Sequence, residues 1–366
     1  MLFLGICYLV SIVKPLFADP EQDLGDFDIF PANNVWKWDI SQYKLHPNSS
    51  VYILSIGVSG KIHPDFGTMW EGAPIGIPYL VVNSAQPLVP VTYTDYGDES
   101  DPGPFPIPLT SPIEGGSFSN GDRHVITIDK DRNLLSELYS AFPKIANWEA
   151  SSGAQFDLTK NDDHPLGWTS ADAAGLPIFP GLVRYEEVYI KKKVNHAIRM
   201  TVVNSQKAYI FPARHFASSK TDPDLPPMGL RLRMKADYDI SRFCPPMQVI
   251  CIAMKKHGLI VADNGSNWYI SGAPDPRWND DTLNQLKSIL GSAFEVVQTI
   301  DAQGNPIYPS TTVAQNSSAV SQSKTHHVSS LKFGNGQMLY TSQPDKVGSV
   351  TKFDTRGRKV GIRLRK

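Results

Sequence analysis

Apolar positions along the chain come in short runs broken by proline and glycine from Phe30 to about Thr299. Such punctuation predicts many short strands joined by sizeable loops. Val51 to Ile56, Tyr79 to Val82 and His124 to Ile128 read as strands. Ala197 to Val203 and Leu230 to Ala236 alternate apolar with polar residues, which predicts one core face and one exposed, polar or basic face for each. The three-and-four spacing of Met247, Ile250, Cys251 and Met254 predicts a helix from about Pro246 to His257, stopped by Gly258. A hairpin follows, with Leu259 to Ala262 and Trp268 to Ser271 flanking an Asp263-Asn264-Gly265 turn. A second helix fits Asp281 to Leu290, capped by Asn279 or Asp280 and ended by Gly291, before a strand at Phe294 to Val297. Together these elements predict a mainly β fold, a sandwich or jelly-roll-like core with large loops and two short helices near residues 246–257 and 281–290.

The two ends depart from this pattern. Leu2 to Val13 is an apolar run too short to cross a bilayer, followed by Lys14, Pro15 and Ala18, the profile of a secretion signal over residues 1–18. No later stretch has the length of a membrane span, so the expectation is a secreted, extracellular chain with no stable membrane insertion after signal cleavage. Residues 19–300 form the main β-rich domain. Residues 301–330 are rich in Ser, Thr and Gln and read as a linker, and residues 331–366 as a small C-terminal β segment.

Composition narrows the function classes. The net charge of −1 over 366 residues argues against a nucleic-acid partner. Twenty-nine prolines, 27 glycines and 10% aromatic residues suit a loop-rich fold with rings to spare for packing or ligand stacking. Cys244 and Cys251 lie seven positions apart across Pro245 and Pro246, compatible either with a disulfide or with two free thiols on one helix.

The chain carries no zinc-protease helix motif, phosphate-binding glycine loop, nucleophile elbow or Cys-x-x-Cys pair. Chemistry must therefore come from loops. Asp95, Asp98, Glu99 and Asp101 precede a proline-stiffened segment, an arrangement that suits a calcium site, a glycosidic acid and base pair, or a solvated turn. His63-Pro-Asp65, Asp122-Arg123-His124, Arg214-His215 and Asp275-Pro-Arg277 place titrating or cationic groups at strand ends, where they could move protons, hold a uronate carboxylate, ligate a metal or simply bond to backbone. Of the seven tryptophans, Trp268 and Trp278 flank the Ser271 to Arg277 loop and are the preferred sugar-stacking rings.

These stretches also carry a resemblance. Phe30-Pro-Ala-Asn-Asn-Val-Trp36, His63-Pro-Asp-Phe-Gly67, Asp98-Glu-Ser-Asp-Pro-Gly-Pro104, Gly121-Asp-Arg-His124, Pro212-Ala-Arg-His215, Ala262-Asp-Asn-Gly-Ser266 and Asp275-Pro-Arg-Trp278 resemble a family of secreted microbial proteins often fused to carbohydrate-binding or adhesive modules. The resemblance covers about three quarters of the chain. It implies secretion and a polysaccharide context and brings no catalytic residues with it. At the other end, Phe353-Asp-Thr-Arg-Gly-Arg-Lys-Val360 resembles a bacterial C-terminal sorting module.

The resulting expectation is a polysaccharide hydrolase or lyase. Asp98, Glu99, Asp101, His124 and His215 are its catalytic candidates, and His63, Asp65, Arg123, Arg214, Trp268, Arg277 and Trp278 its ligand-binding candidates. The alternative is a non-catalytic glycan-binding or cell-surface protein with a structural calcium site.

Overall fold

The computed structural model describes residues 24–161 and 164–309, together with two-residue strands at 333–334, 337–338, 352–353 and 359–360. The expected signal segment, residues 1–18, and residues 310–330 of the expected linker lie outside the described residues. The chain divides into two compact units, Met1–Pro309 and Ser310–Lys366.

The first unit is mainly strand. In chain order it carries β1 (His63–Asp65), β2 (Met69–Trp70), β3 (Ala73–Pro74), β4 (Tyr79–Val82), β5 (Val91–Tyr93), β6 (Val125–Asp129), β7 (Leu134–Tyr139) and β8 (Phe142–Pro143). There follow β9 (Trp148–Ala150), β10 (Ser152–Asp157), β11 (Ile198–Val202), β12 (Arg231–Met234), β13 (Leu259–Asn264), β14 (Tyr269–Ser271) and β15 (Phe294–Val296). Among the described residues three α-helices accompany them: α1 (Ser49–Ile56), α2 (Pro245–Lys256) and α3 (Asp280–Leu283). A six-stranded mixed sheet runs β1-β14-β11-β13-β12-β15, and a four-stranded sheet runs β10-β7-β6-β4. β5, β9 and β8 form a third sheet and β2 pairs with β3. In the second unit Phe333–Gly334 pairs with Gln337–Met338 and Lys352–Phe353 with Lys359–Val360, both antiparallel.

α2 occupies the expected span and buries Met247, Ile250, Cys251 and Met254. Cys251 packs inside it, Cys244 caps it, and both thiols are free. Among the described residues no helix is long and apolar enough to cross a membrane.

Four local expectations are corrected. Val51 to Ile56 is helical, in α1: Tyr52, Ile53 and Ile56 are buried while Leu54 is 70% exposed, so burial at three- and four-residue spacing overrides the strand preference of a β-branched run. The helix ends at Gly57, whose φ of 113° is closed to other residues, and whose N–H caps Ile53 O at 2.9 Å. The second expected helix is shorter, since α3 gives way to a 3-10 turn over Asn284–Ser288. Its cap is as expected, the Asn279 side chain accepting from Thr282 N.

The strands around Asn264-Gly265 do not form a hairpin. β11 lies between them, parallel to β13 and antiparallel to β14. Leu259 to Ala262 are all buried, so β13 is a central strand placed by tertiary pairing and not by its turn.

Nor are the alternating strands exposed on their basic face. Arg199 and Arg231 are buried, and Arg233 is half-buried. Arg231 donates to His257 O at 2.8 Å and Val35 O at 3.2 Å. Arg233 donates to the carbonyls of Ile40, Ser41 and Tyr43 and pairs with Glu295 at 2.7 Å. A guanidinium has five donors and no acceptor, so Arg231 and Arg233 gather carbonyls of the segment from Val35 to Tyr43 that crosses this face.

Candidate functional site

The bulge between Met200 and Thr201 brings Asp263 of β13 opposite Thr201, on the same face of the six-stranded sheet as Arg199. β14 adds Tyr269 and Ser271 to that face, and the β1 register adds His63 and Asp65. Arg199 is the hub. Its Nε and Nη2 hold both oxygens of Asp172 at 2.9 Å, Nη2 reaches Asp263 Oδ2 at 2.7 Å, and Nη1 reaches Ser271 Oγ at 2.9 Å. One guanidinium thus serves two carboxylates, and the two carboxylates raise the Arg199 pKa against the effect of burial. Asp172 is fully enclosed, whereas the Asp263 side chain is 20% exposed. Burial raises the Asp263 carboxyl above the usual carboxylate range; Arg199 pulls it down and Asp172 pushes it up.

His124 stands at the start of β6 and is buried. Its Nδ1 is 2.6 Å from Glu114 Oε2, and its Nε2 is 3.1 Å from Ala171 O. A carbonyl only accepts, so Nε2 carries a hydrogen. Burial disfavours the charged imidazole, but the Glu114 carboxylate prevails and lifts its pKa to about 9. Arg123, next to it, adopts a left-handed φ of 53°. Its guanidinium donates to the carbonyls of Ala141, Ser117 and Ser119 and lies 4.2 Å from the Phe142 ring centre. The arginine expected to bind ligand is a buried anchor that holds the turn carrying Asp122 and His124.

The charges of Asp65, Glu114, Asp122, Asp172, Asp263, His124 and Arg199 act on one another, five carboxylates around two cations. The Asp65 carboxyl is raised by burial and by Glu114 and Asp122, with Arg199 opposing. The carboxylates of Asp65 and Asp122 have no hydrogen-bond or ion-pair partner among the described residues. Tyr139, at the end of β7, feels both Asp122 and Asp263; burial and these charges raise its phenol. Its ring centre is 5.5 Å from that of His124. Ser151 N donates to Tyr139 O and Tyr96 N to Ser151 O, each at 2.9 Å, so Tyr96, 46% exposed, flanks the same cluster. Glu114, Asp122 and His124 each present a ligand atom within 4.8 Å of the others.

The loop from Thr169 to Gly175 knits the expected residues together. Ala171 O receives His124, and Ala173 O receives His215 Nδ1 at 2.8 Å. Thr169 N donates to Glu99 Oε2 at 3.2 Å, and that oxygen lies 3.7 Å from His215 Nε2. His164 bridges Thr169 O and the Asp101 carboxylate, which also accepts from Gln155 N at 2.7 Å. The backbone N–H of Arg214 donates to Ala174 O at 2.8 Å. Glu99, Asp101, His124 and His215 therefore border one loop, while Asp98 is exposed on the 3-10 turn Gly97–Glu99. Asp95 accepts from Ser151 Oγ at 2.7 Å. With Asp95, Glu99 and Asp101 each committed to a different partner, the acidic loop does not gather its oxygens for calcium.

Four of the expected ligand-binding residues have partners of their own. Trp268 and Trp278 are buried and donate to Gly57 O and Ala273 O, so neither ring can stack a sugar. Arg277 is tied to Asp275 and Glu186 over the Tyr185 ring. His63 stacks on Tyr269 at 4.1 Å.

Sequence reasoning missed Glu114, Asp172, Arg199 and Asp263 as site residues. Arg199 was hidden by strand alternation, and Asp263 by its place in an apparent hairpin turn. A separate pocket of about 260 Å³ is lined by Trp36, Tyr79, Arg184, Glu187 and His196, and includes none of the expected residues. Within it Glu187 pairs with both Arg184 and His196. No family model matches the chain, and no match was found among curated proteins or solved structures.

Proposed function

We propose that the protein is a secreted carbohydrate-active hydrolase that cleaves a polysaccharide, with Asp263 as its proton donor. The observation that carries this reading is the sharing of one guanidinium by two carboxylates. Asp172 takes the bidentate, enclosed place, which leaves Asp263 as the solvent-reachable member with a raised affinity for a proton. A carboxyl kept protonated towards neutral pH is the group that glycosidic cleavage needs to protonate the departing oxygen. Tyr139 and the exposed Tyr96 ring beside it offer the apolar platform on which sugar faces stack. Charge favours hydrolysis over elimination, because a uronate carboxylate would meet five carboxylates and only two cations. In this reading the six- and four-stranded sheets would be the layers of a sandwich, and the resemblance to secreted, module-bearing proteins supplies the extracellular setting.

The test is a panel of neutral and acidic polysaccharides, with reducing ends and unsaturated products both read. Reducing ends without unsaturated product are expected on at least one neutral glycan, and Asp263→Asn should lower turnover by about two to four orders of magnitude at unchanged melting temperature. Unsaturated products would move the reading to a lyase. Glycan binding without turnover, or an Asp263→Asn variant of near-normal rate, would overturn it.

A further inference from the structure

We propose that Glu114, Asp122 and His124 form a binding site for a divalent transition-metal ion of the Mn²⁺ or Zn²⁺ class. The inference does not rest on the hydrolase reading. Each residue contributes one ligand atom, and these atoms lie within 4.8 Å of one another.

The imidazole is set up as a ligand. Its Nε2 hydrogen goes to Ala171 O at 3.1 Å, which fixes the ring and turns Nδ1 towards Glu114 Oε2. A metal-binding histidine typically gives its other N–H to a carbonyl or carboxylate in this way. Two atoms that both carry lone pairs cannot sit 2.6 Å apart without a cation between them. In the metal-free molecule that cation is a proton. A divalent ion replaces it once the two atoms separate to the roughly 3.3 Å expected of tetrahedral ligands about 2 Å from a metal.

Charge and support point the same way. The Asp122 and Asp65 carboxylates lack partners among the described residues, and the five carboxylates of the cluster outnumber its two cations, which leaves a negative excess here. The positions are also rigid. Glu114 N donates to His124 O at 3.0 Å, joining two ligand-bearing segments, and the Arg123 anchor fixes the strained turn between Asp122 and His124. His124 is buried, Glu114 half-buried and Asp122 exposed, so the ion enters from the Asp122 side and keeps a coordination position open to water. Two carboxylates with one imidazole select a first-row transition ion over Ca²⁺ or Mg²⁺, which prefer oxygen alone.

The experiment is calorimetric titration of chelator-treated full-length protein with MnCl₂, ZnCl₂, MgCl₂ and CaCl₂, with Co²⁺ absorption as a second readout. One Mn²⁺ or Zn²⁺ per chain should bind with a micromolar or tighter Kd, and Ca²⁺ at least tenfold more weakly. Asp122→Asn should weaken binding at least tenfold while leaving the metal-free melting temperature unchanged; its exposure makes misfolding a minor concern. Glu114→Gln, if it folds, should behave alike. No binding at millimolar metal, or undiminished binding by Asp122→Asn, would sink the proposal, the latter placing the ion elsewhere, for instance on the neighbouring histidines His326 and His327.

Discussion

At the scale of single residues, burial governs protonation where no carboxylate faces the group, and His257 is the clearest case. It is buried, its Nδ1 lies 3.0 Å from Trp38 O, and its Nε2 has no partner among the described residues. Burial lowers its pKa from 6.5 to about 4; the Trp38 carbonyl opposes this and the nearby Arg231 adds to it. The unfolded chain takes up this proton near pH 6.5 and the folded chain only near pH 4. Stability from this group is therefore complete above pH 6.5 and falls as the pH drops towards 4, by up to about 1.4 kcal/mol per unit. Denaturant melts from pH 7 to 4.5 should show the slope, and His257→Asn should flatten it. An unchanged slope in the variant would assign the effect to other groups. Sequence could flag His124 and His215 as strand-end imidazoles, yet nothing in it separates a histidine facing a carboxylate from one facing only carbonyls. Trp268 and Trp278 failed as ligand rings for the commonest reason: large rings fill cores.

At the scale of elements, short-range signals held where the element packs by its own periodicity, as in α2, and failed where a distant strand intervenes. The chain does reverse after β13, but at Asn267-Trp268 and not at Asn264-Gly265, and β11 comes between the two strands, a pairing that no local pattern encodes. The alternation in β11 and β12 also reads correctly as alternation, while the polar face it defines is covered. Arg231 holds that cover in place: a buried cation bound to Val35 O and His257 O, it joins the N-terminal segment to the end of α2. Burial lowers its pKa to about 9. Arg231→Ala strands two carbonyls and opens a void, and should cost on the order of 3–5 kcal/mol by denaturant titration. A loss below about 1 kcal/mol would show that water satisfies those carbonyls without strain.

At the scale of the whole chain, composition places the start of the expected linker too early. Residues 301–309, read as linker, belong to the first unit. Ile307 N donates to Thr299 O at 2.8 Å, Tyr43 Oη donates to Ile307 O at 2.5 Å, and Tyr308 packs 5.2 Å from Trp38. A chain ending at Pro309 should keep its melting temperature within about two degrees. One ending at Thr299 should melt on the order of 2–4 °C lower than that, since it forfeits two hydrogen bonds and an aromatic contact, worth about 1–2 kcal/mol. Equal melting points for the two truncations would show that the last turn contributes nothing.

The Thr169–Gly175 loop has a kinetic meaning as well. Its partners Glu99, His124, Arg199 and His215 lie between about 25 and 75 positions away along the chain, so the loop acquires its shape only after segments from both larger sheets have come together. Contacts of that separation form late, because the loop-closure entropy is lost before they can compensate it. The charged cluster is then among the last parts to assemble, and it has no existence in a half-folded chain. A nascent or partly denatured molecule holds neither the shared guanidinium nor the three ligands in place, which confines any chemistry of this cluster to chains that have finished folding.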